Sequence, residues 1–418
     1  MSKKYISKIK HKIWSRIFTP VFALIYVIVW LRDFLFRTEK ENLKIRSIAW
    51  FGAYGNTNIG DDLIFFSLKQ YIPDHITIYL SCRQKEPTTN YGIKTFYRQG
   101  FSQYNVIKQS DFVLLGGGGL FEFYRDSFPT TTLLNYMYPL LMAKYYKKRY
   151  AIIGMGCNVQ PFQNRFLRNS FNFLTNNAEL IITRDEKSSQ GFINNNYNRN
   201  LKNLVSSYDP VFSLSSIIKN KTAKTSNEIT IGFLLWPYYL WPAFHSIQNI
   251  DDIREQISAE KWNKHMLFCD ELNKLFSILE QKDIKMVFPL FHFSDKVLLD
   301  HLKCNYENNI TFDTYFSQLT SCDIVISMRY HVQITSIANN IPVISIPVQE
   351  KMSALVENFG LEDYSIDIDE FSANKCMEII DNVMKNKEEL KSKLANDYNI
   401  IYQKVENAYK ENFKKIFL

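Results

Sequence analysis

Residues 45–71, IRSIAWFGAYGNTNIGDDLIFFSLKQY, hold the reading that decides the fold. Ile45–Gly52 is a short apolar run of the kind that forms a buried strand, and Asp61–Tyr71 carries apolar residues at helical spacing. Between them, Gly52, Gly55 and Gly60 allow tight turns, while Asn58 and Asp61 can cap the helix or bind a hydroxyl. A strand–glycine loop–helix turn presents free backbone N–H groups to an anion. The spacing is neither GxGxxG nor a Walker loop and it contains no Lys, so it reads as a binding turn or as a purely structural one.

The same alternation continues outward along the chain. Strands are expected at Ile76–Leu80, Phe112–Leu115, Tyr150–Gly154 and Leu180–Thr183, with helices at Thr132–Tyr146 and Arg165–Asn176. A polar stretch, Lys219–Glu228, reads as a linker. Strands resume at Ile229–Leu235, Lys285–Phe288, Asp323–Ser327 and Pro342–Ile346, with helices at Trp262–Gln281, Tyr330–Asn339 and Lys351–Phe359. Phe371–Phe417 looks like two further helices. Strands alternating with helices predict parallel sheets covered on both faces. The expected fold class is therefore α/β, with two Rossmann-like domains, residues 45–218 and 229–370, facing a cleft. Residues 1–44 form an arm, 219–228 a linker, and 371–418 close the structure. Ligands are expected at the C-terminal ends of the strands.

Composition narrows the classes. A chain of 418 residues, 46% hydrophobic and 22% charged, buries a sizeable core, which excludes long disorder and a small disulfide scaffold. The six cysteines stand singly, with no CxxC pair and no His at metal-ligand spacing, so reduced structural thiols and no metal site are expected. The net charge of +8 is located in the arm: residues 1–46 hold 11 Lys/Arg against three acids, leaving 39 of each sign in the body. A nucleic-acid enzyme would carry that charge on its folded body, so no nucleic-acid partner is expected. Nothing in the composition fixes an oligomeric state.

In the arm, Lys3, Lys4, Lys8, Lys10, Lys12 and Arg16 lead into an apolar run, Ile17–Leu31, followed by Arg32, Asp33, Arg37 and the patch Phe34–Phe36. The run makes a helix of about 22 Å, short of the ~30 Å hydrocarbon core. No small-residue cleavage site follows it. Residues 1–40 therefore read as a monotopic or re-entrant anchor whose basic collar meets an anionic cytoplasmic leaflet, with Trp14, Tyr26 and Trp30 at the interface. A buried helix, or a single crossing through residues 17–36, are the alternatives.

Chemistry-bearing residues gather where strands end. Gly116–Gly119 follows Asp111–Leu115, and four of the chain's 14 glycines standing together suggest a binding loop at Gly117, Gly118 and Gly119, with close packing as the alternative. Gly154–Phe162, which contains Asn158, sits at a third strand end. Arg184 follows a fourth and could hold a carboxylate or phosphate bidentately, or simply pair with Asp185. The sharpest cluster is Ser327-Met-Arg-Tyr-His331, followed by Lys351 after the next strand. Arg329 and Lys351 would bind an anion, and His331 could move a proton near neutral pH. His292 or Asp295 could also line the cleft. No carboxylate cluster at metal spacing, GxSxG elbow or Cys–His nucleophile pair is recognised.

At these residues the sequence resembles the polysaccharide pyruvyl transferase family. The resemblance rests on Gly55–Asp62, Gly116–Leu120, Gly154–Gly156, Thr183–Asp185, Asp209-Pro210, Ser327–Ile346 and Lys351, in the family's order. It implies two Rossmann domains in a glycosyltransferase-B-like arrangement and transfer of pyruvate from phosphoenolpyruvate onto two hydroxyls of one sugar as a cyclic ketal. By that resemblance His331 is the general acid/base, and Arg184, Arg329 and Lys351 grip the donor's phosphate and carboxylate. No cofactor is implied beyond phosphoenolpyruvate as donor. The chain departs from the family pattern at Trp236-Pro237, where an Arg is common, and at Val348-Gln-Glu before Lys351. With the arm, the implied acceptor is a lipid-linked saccharide at the cytoplasmic face of the cell membrane. A nucleotide-sugar glycosyltransferase on the same scaffold is the alternative reading.

Overall fold

The computed structural model describes residues 3–36, 44–85, 87, 89–98, 102–122, 130–197, 199–214, 228–243 and 250–417, with side chains in the first helix described from Phe18 onward. Most of the expected linker, Lys219–Glu228, and His245 lie outside these residues. The chain forms two compact units, one of residues 1–56, 64–210 and 404–418, the other of 57–63 and 211–403. The linear reading cuts the chain differently: it leaves Thr57–Leu63 with the first half and keeps the whole tail apart.

The first unit holds a seven-stranded, all-parallel sheet. Its strands are β1 (Ser47–Phe51), β2 (Thr77–Cys82), β3 (Lys94–Tyr97), β4 (Phe112–Phe121), β5 (Arg149–Cys157), β6 (Ile181–Thr183) and β7 (Leu204–Ser206). Their spatial order is β3-β2-β1-β4-β5-β6-β7, so the winding reverses between β1 and β4. Central strands are buried on both faces, which is why they read as continuous apolar runs. The edge strands β3 and β7 are short and partly exposed, and carry too weak a pattern to be read in advance.

The glycine run corrects one expectation. Gly116–Gly119 is part of β4, not a loop after it. Gly117 has φ +88°, and a Cβ there would lie 1.9 Å from Ile64 Cγ2, so the missing side chain lets a helix pack directly on the strand. That helix is α2 (Ile59–Lys69), followed in this unit by α3 (Ser102–Gln109), α4 (Thr130–Tyr145), α5 (Arg165–Asn177) and α6 (Glu186–Asn194). The Gly154–Cys157 motif likewise lies inside β5, and Asn158 follows the strand, half-buried.

The helix of the arm, α1 (Lys3–Leu35), is continuous, and its window Phe18–Leu35 is long and apolar enough to cross a membrane by length and composition. One face packs on the unit: Phe18, Phe22 and Val29 are buried, Phe18 meets Tyr138 of α4 at 5.4 Å, and Tyr26 meets Phe173 of α5 at 5.5 Å. Arg32 donates to the last carbonyls of α4, Lys144 and Tyr145, each at 2.9 Å. The opposite face leaves Val21, Leu24, Val27, Ile28 and Leu31 exposed. Tyr26 therefore belongs to the packed face, whereas Trp30 is exposed and stacks on Phe34; the Trp14 side chain lies outside the described residues.

The second unit holds a four-stranded parallel sheet, β8 (Thr230–Leu234), β9 (Lys285–Val287), β10 (Ile324–Ser327) and β11 (Val343–Ser345), in the order β11-β10-β8-β9. Its helices are α7 (Ile250–Arg254), α8 (Ala259–Gln281), α9 (Asp295–His301), α10 (Phe312–Thr320), α11 (Tyr330–Ala338), α12 (Glu350–Phe359) and α13 (Ala373–Lys385). The last helix, α14 (Lys387–Phe417), contributes Tyr398 to this unit, where it donates to Phe212 O at 2.7 Å. Beyond Lys404 it contributes to the first unit, where Tyr409 stacks on Tyr71.

Candidate functional site

The winding of the second sheet reverses between β8 and β10, and such a switch point leaves room for a ligand beyond the strand ends. All four strands deliver their next residues to that edge. Trp236 follows β8, Phe288–Asp295 follows β9, Arg329 follows β10, and Lys351 follows β11.

Arg329 caps α11 in an extended conformation, φ −122° and ψ 121°, and the helix begins at Tyr330. Arg329 is thus extended, whereas His331 sits in the first helical turn. The Arg329 guanidinium lies over the Trp236 ring, 5.3 Å from its centre. Its Nη2 pairs with Asp295 Oδ1 and donates to Ser294 Oγ at 3.3 Å, while Nε is buried without a hydrogen-bond partner among the described residues.

Asp295 is a built anchor. Its Oδ2 accepts from the backbone N–H groups of Phe291 at 3.1 Å and His292 at 2.9 Å. Burial raises its carboxyl above the ordinary range, and Arg329 and the two N–H groups pull it back. We read the pair as ionised, because neutralising Asp295 would strand the buried guanidinium. His292 Nδ1 accepts from Ser294 N at 3.2 Å, so Ser294 Oγ, 2.6 Å away, donates to the same nitrogen while accepting from Arg329.

Residues 57–63 join this edge. Asn58 forms an antiparallel bridge with His292, and Ile59 N donates to Phe291 O at 3.1 Å. Asn58 Oδ1 accepts from Gly60 N at 3.1 Å, and its Nδ2 donates to Asp61 Oδ2 at 2.7 Å. Gly60 lies against His331: a Cβ there would be 2.4 Å from Nδ1. Lys351, half-buried in the first turn of α12, holds its Nζ 5.5 Å from the centre of the Tyr330 ring, between Arg329 and His331 in sequence.

The structure therefore brings Asn58, Gly60, Asp61, Arg329, His331 and Lys351 into the second unit. Arg184, Gly117, Gly118, Gly119 and Asn158 belong to the first. Arg184, expected either to hold an anion or to pair with Asp185, has carboxylates around it. It is 1% exposed, paired with Glu122, with Asp209 at 3.8 Å and Asp185 at 3.7 Å. A Cβ on Gly156 would lie 2.8 Å from its Nε and 2.1 Å from Glu122 Oε1, so that glycine makes space for the pair. This is an arginine enclosed by carboxylates. Gly119 faces the same acid, its Cβ position being 2.6 Å from Glu122 Oε2.

Sequence reasoning missed Ser294, Glu122 and Gln333. Gln333 is fully buried and donates to Ser327 O at 3.2 Å and Ser345 Oγ at 2.7 Å, tying the ends of β10 and β11. Its position in the first turn after an Arg–Tyr–His segment was the available signal. The cysteine reading is also corrected: Cys269 has a His partner, His265, one turn earlier on α8, and His301 lies beside both.

The family model of the polysaccharide pyruvyl transferases matches residues 58–350, which takes in every residue of the second-unit site except Lys351, the residue after its end. The chain belongs to that family. A search of curated proteins finds no match. Among solved structures, the chain is similar to UDP-GlcNAc 2-epimerase from Neisseria meningitidis bound to UDP-GlcNAc, with TM-score 0.55, 12% identity and coverage of 88% of this chain and 99% of that one. A putative UDP-N-acetylglucosamine 2-epimerase from Listeria monocytogenes gives TM-score 0.53, 12% identity and coverage of 88% and 98%. The 2-epimerase from Methanocaldococcus jannaschii gives 0.53, 10% identity and coverage of 90% and 99%. At such identities these likenesses show the fold alone: two Rossmann-type parallel sheets of the glycosyltransferase-B-like kind. Family membership makes the chain a transferase of polysaccharide biosynthesis.

Proposed function

We propose that the protein transfers pyruvate from phosphoenolpyruvate onto two hydroxyls of a sugar in a surface-polysaccharide repeat unit, forming a ketal. The observation that carries this reading is the His331 imidazole, seated against the Gly60 backbone beside an arginine held by Asp295, at the switch point of the second sheet. The reaction needs one proton shuttle and a cationic cradle. His331 would protonate the methylene carbon of phosphoenolpyruvate, making C2 electrophilic. A sugar hydroxyl adds to C2 and its proton leaves on the phosphate as the C2–O bond to phosphate breaks. A second hydroxyl then closes the ketal, giving its proton back to the base and leaving inorganic phosphate. Arg329, Lys351 and the first N–H groups of α11 would be the donors for the phosphate and carboxylate. Arg184 is not used in this scheme.

The test is phosphate release from phosphoenolpyruvate by detergent-purified protein, with and without lipid-linked saccharides. Acceptor-dependent release that is lost in His331→Ala supports the reading. Absence of release with any acceptor, together with a melting shift on adding a nucleotide sugar, replaces it with the glycosyltransferase reading.

The uncovered face of α1 supports a place at the membrane. With one face packed on the unit and Val21, Leu24, Val27, Ile28 and Leu31 turned outward, the helix suits a position in the interfacial plane better than a free crossing. The acceptor would then be a lipid-linked oligosaccharide at the cytoplasmic face of the cell membrane.

A further inference from the structure

We infer that α8 and α9 build a metal site of the zinc class from three protein ligands, His265, Cys269 and His301. His265 and Cys269 stand four apart on α8 and so face the same side. Both are buried. His301 is the last residue of α9, and the ligand atoms of all three lie within 4.8 Å of one another. Cys269 Sγ is 3.6 Å from His265 Nε2. A tetrahedron with Zn–S of about 2.3 Å and Zn–N of about 2.0 Å has an S···N edge of about 3.5 Å, so this pair is already spaced for a shared ion. The two imidazoles are 5.3 Å apart between ring centres, which small side-chain rotations close.

The set reads His-x3-Cys on one helix with a second His at the end of the next, two nitrogens and one sulfur. The Trp262 ring, 5.6 Å from His265 and 6.4 Å from His301, forms an apolar wall.

Such an ion would fasten the C-terminal end of α9 to α8. Asp295, which holds Arg329, is the first residue of α9, about 9 Å away along the helix axis. The site is thus structural and independent of which reaction the protein performs.

The test uses untagged full-length protein in detergent, stripped with a chelator and titrated with Co2+. The expected result is one cobalt per chain, with the thiolate-to-cobalt charge-transfer band and the visible bands of a tetrahedral ion, displaced by Zn2+. Cys269→Ser should abolish the charge-transfer band. His301→Gln, at a half-exposed position, should lower cobalt affinity by about tenfold or more without changing the circular dichroism. Cobalt uptake without a thiolate band, a band unchanged in Cys269→Ser, or no uptake by well-folded protein overturns the site.

Discussion

Gly60→Ala adds one methyl group, and the structure says where it goes: 2.4 Å from His331 Nδ1, with Phe291 Cε1 at 3.1 Å and Asn58 Oδ1 at 3.3 Å. Gly60 is not among the glycines with positive φ, so alanine suits its backbone and the contact alone carries the effect. Relief of the overlap to an ordinary separation moves the imidazole by about 1 Å. A displacement of that size at a proton-transfer group costs on the order of 100-fold in rate, or about 2.7 kcal/mol of barrier. The assay is acceptor-dependent phosphate release at saturating phosphoenolpyruvate. We expect kcat to fall about 100-fold with a small change in melting temperature, since the imidazole is half-buried and can yield. Combining Gly60→Ala with His331→Ala should be no worse than His331→Ala alone, because both act on one group. Wild-type turnover in Gly60→Ala, or a double variant whose losses multiply, refutes the assignment.

Other predictions follow from neighbouring residues. Asp295→Ala leaves the Arg329 guanidinium, 15% exposed, without its carboxylate, and should lower stability by about 3 kcal/mol in urea unfolding. An unchanged midpoint would mean that Arg329 finds another partner. Arg184→Met should destabilise the first unit by a similar amount, about 3 kcal/mol, because Asp209 and Glu122 lose their counter-charge, while leaving KM for phosphoenolpyruvate unchanged. A large rise in KM at constant stability would return Arg184 to donor binding. Lys351→Met should raise KM for phosphoenolpyruvate with little effect on the melting temperature, and an unaltered KM would remove it from the cradle. Leu24→Glu combined with Ile28→Glu, both on the uncovered face of α1, should abolish sedimentation with anionic vesicles while leaving the soluble fold intact by circular dichroism; retained binding would move the membrane contact elsewhere.

The uneven legibility of the chain has a physical basis. Long buried strands such as β4 and β5 announce themselves because both faces are covered, so each residue in the run must be apolar. Edge strands such as β3 need cover on one side only and leave a weak pattern. The glycine run was visible, but its role was not. A glycine that lets a loop approach a ligand and one that lets α2 press on β4 look identical in sequence, and only the position of Ile64 separates them.

The sequence by itself determined the α/β class, the order of its elements and the apolar arm, because those depend on local periodicity and on residues close together along the chain. Tertiary structure decided what each charge meets. It gave Arg329 its buried carboxylate at Asp295, enclosed Arg184 among acids, and set Gly60 against His331. It also gathered His265, Cys269 and His301 from two helices. These partners are dozens to hundreds of residues apart in several cases, and electrostatic and steric contacts act through space, where sequence separation carries no distance.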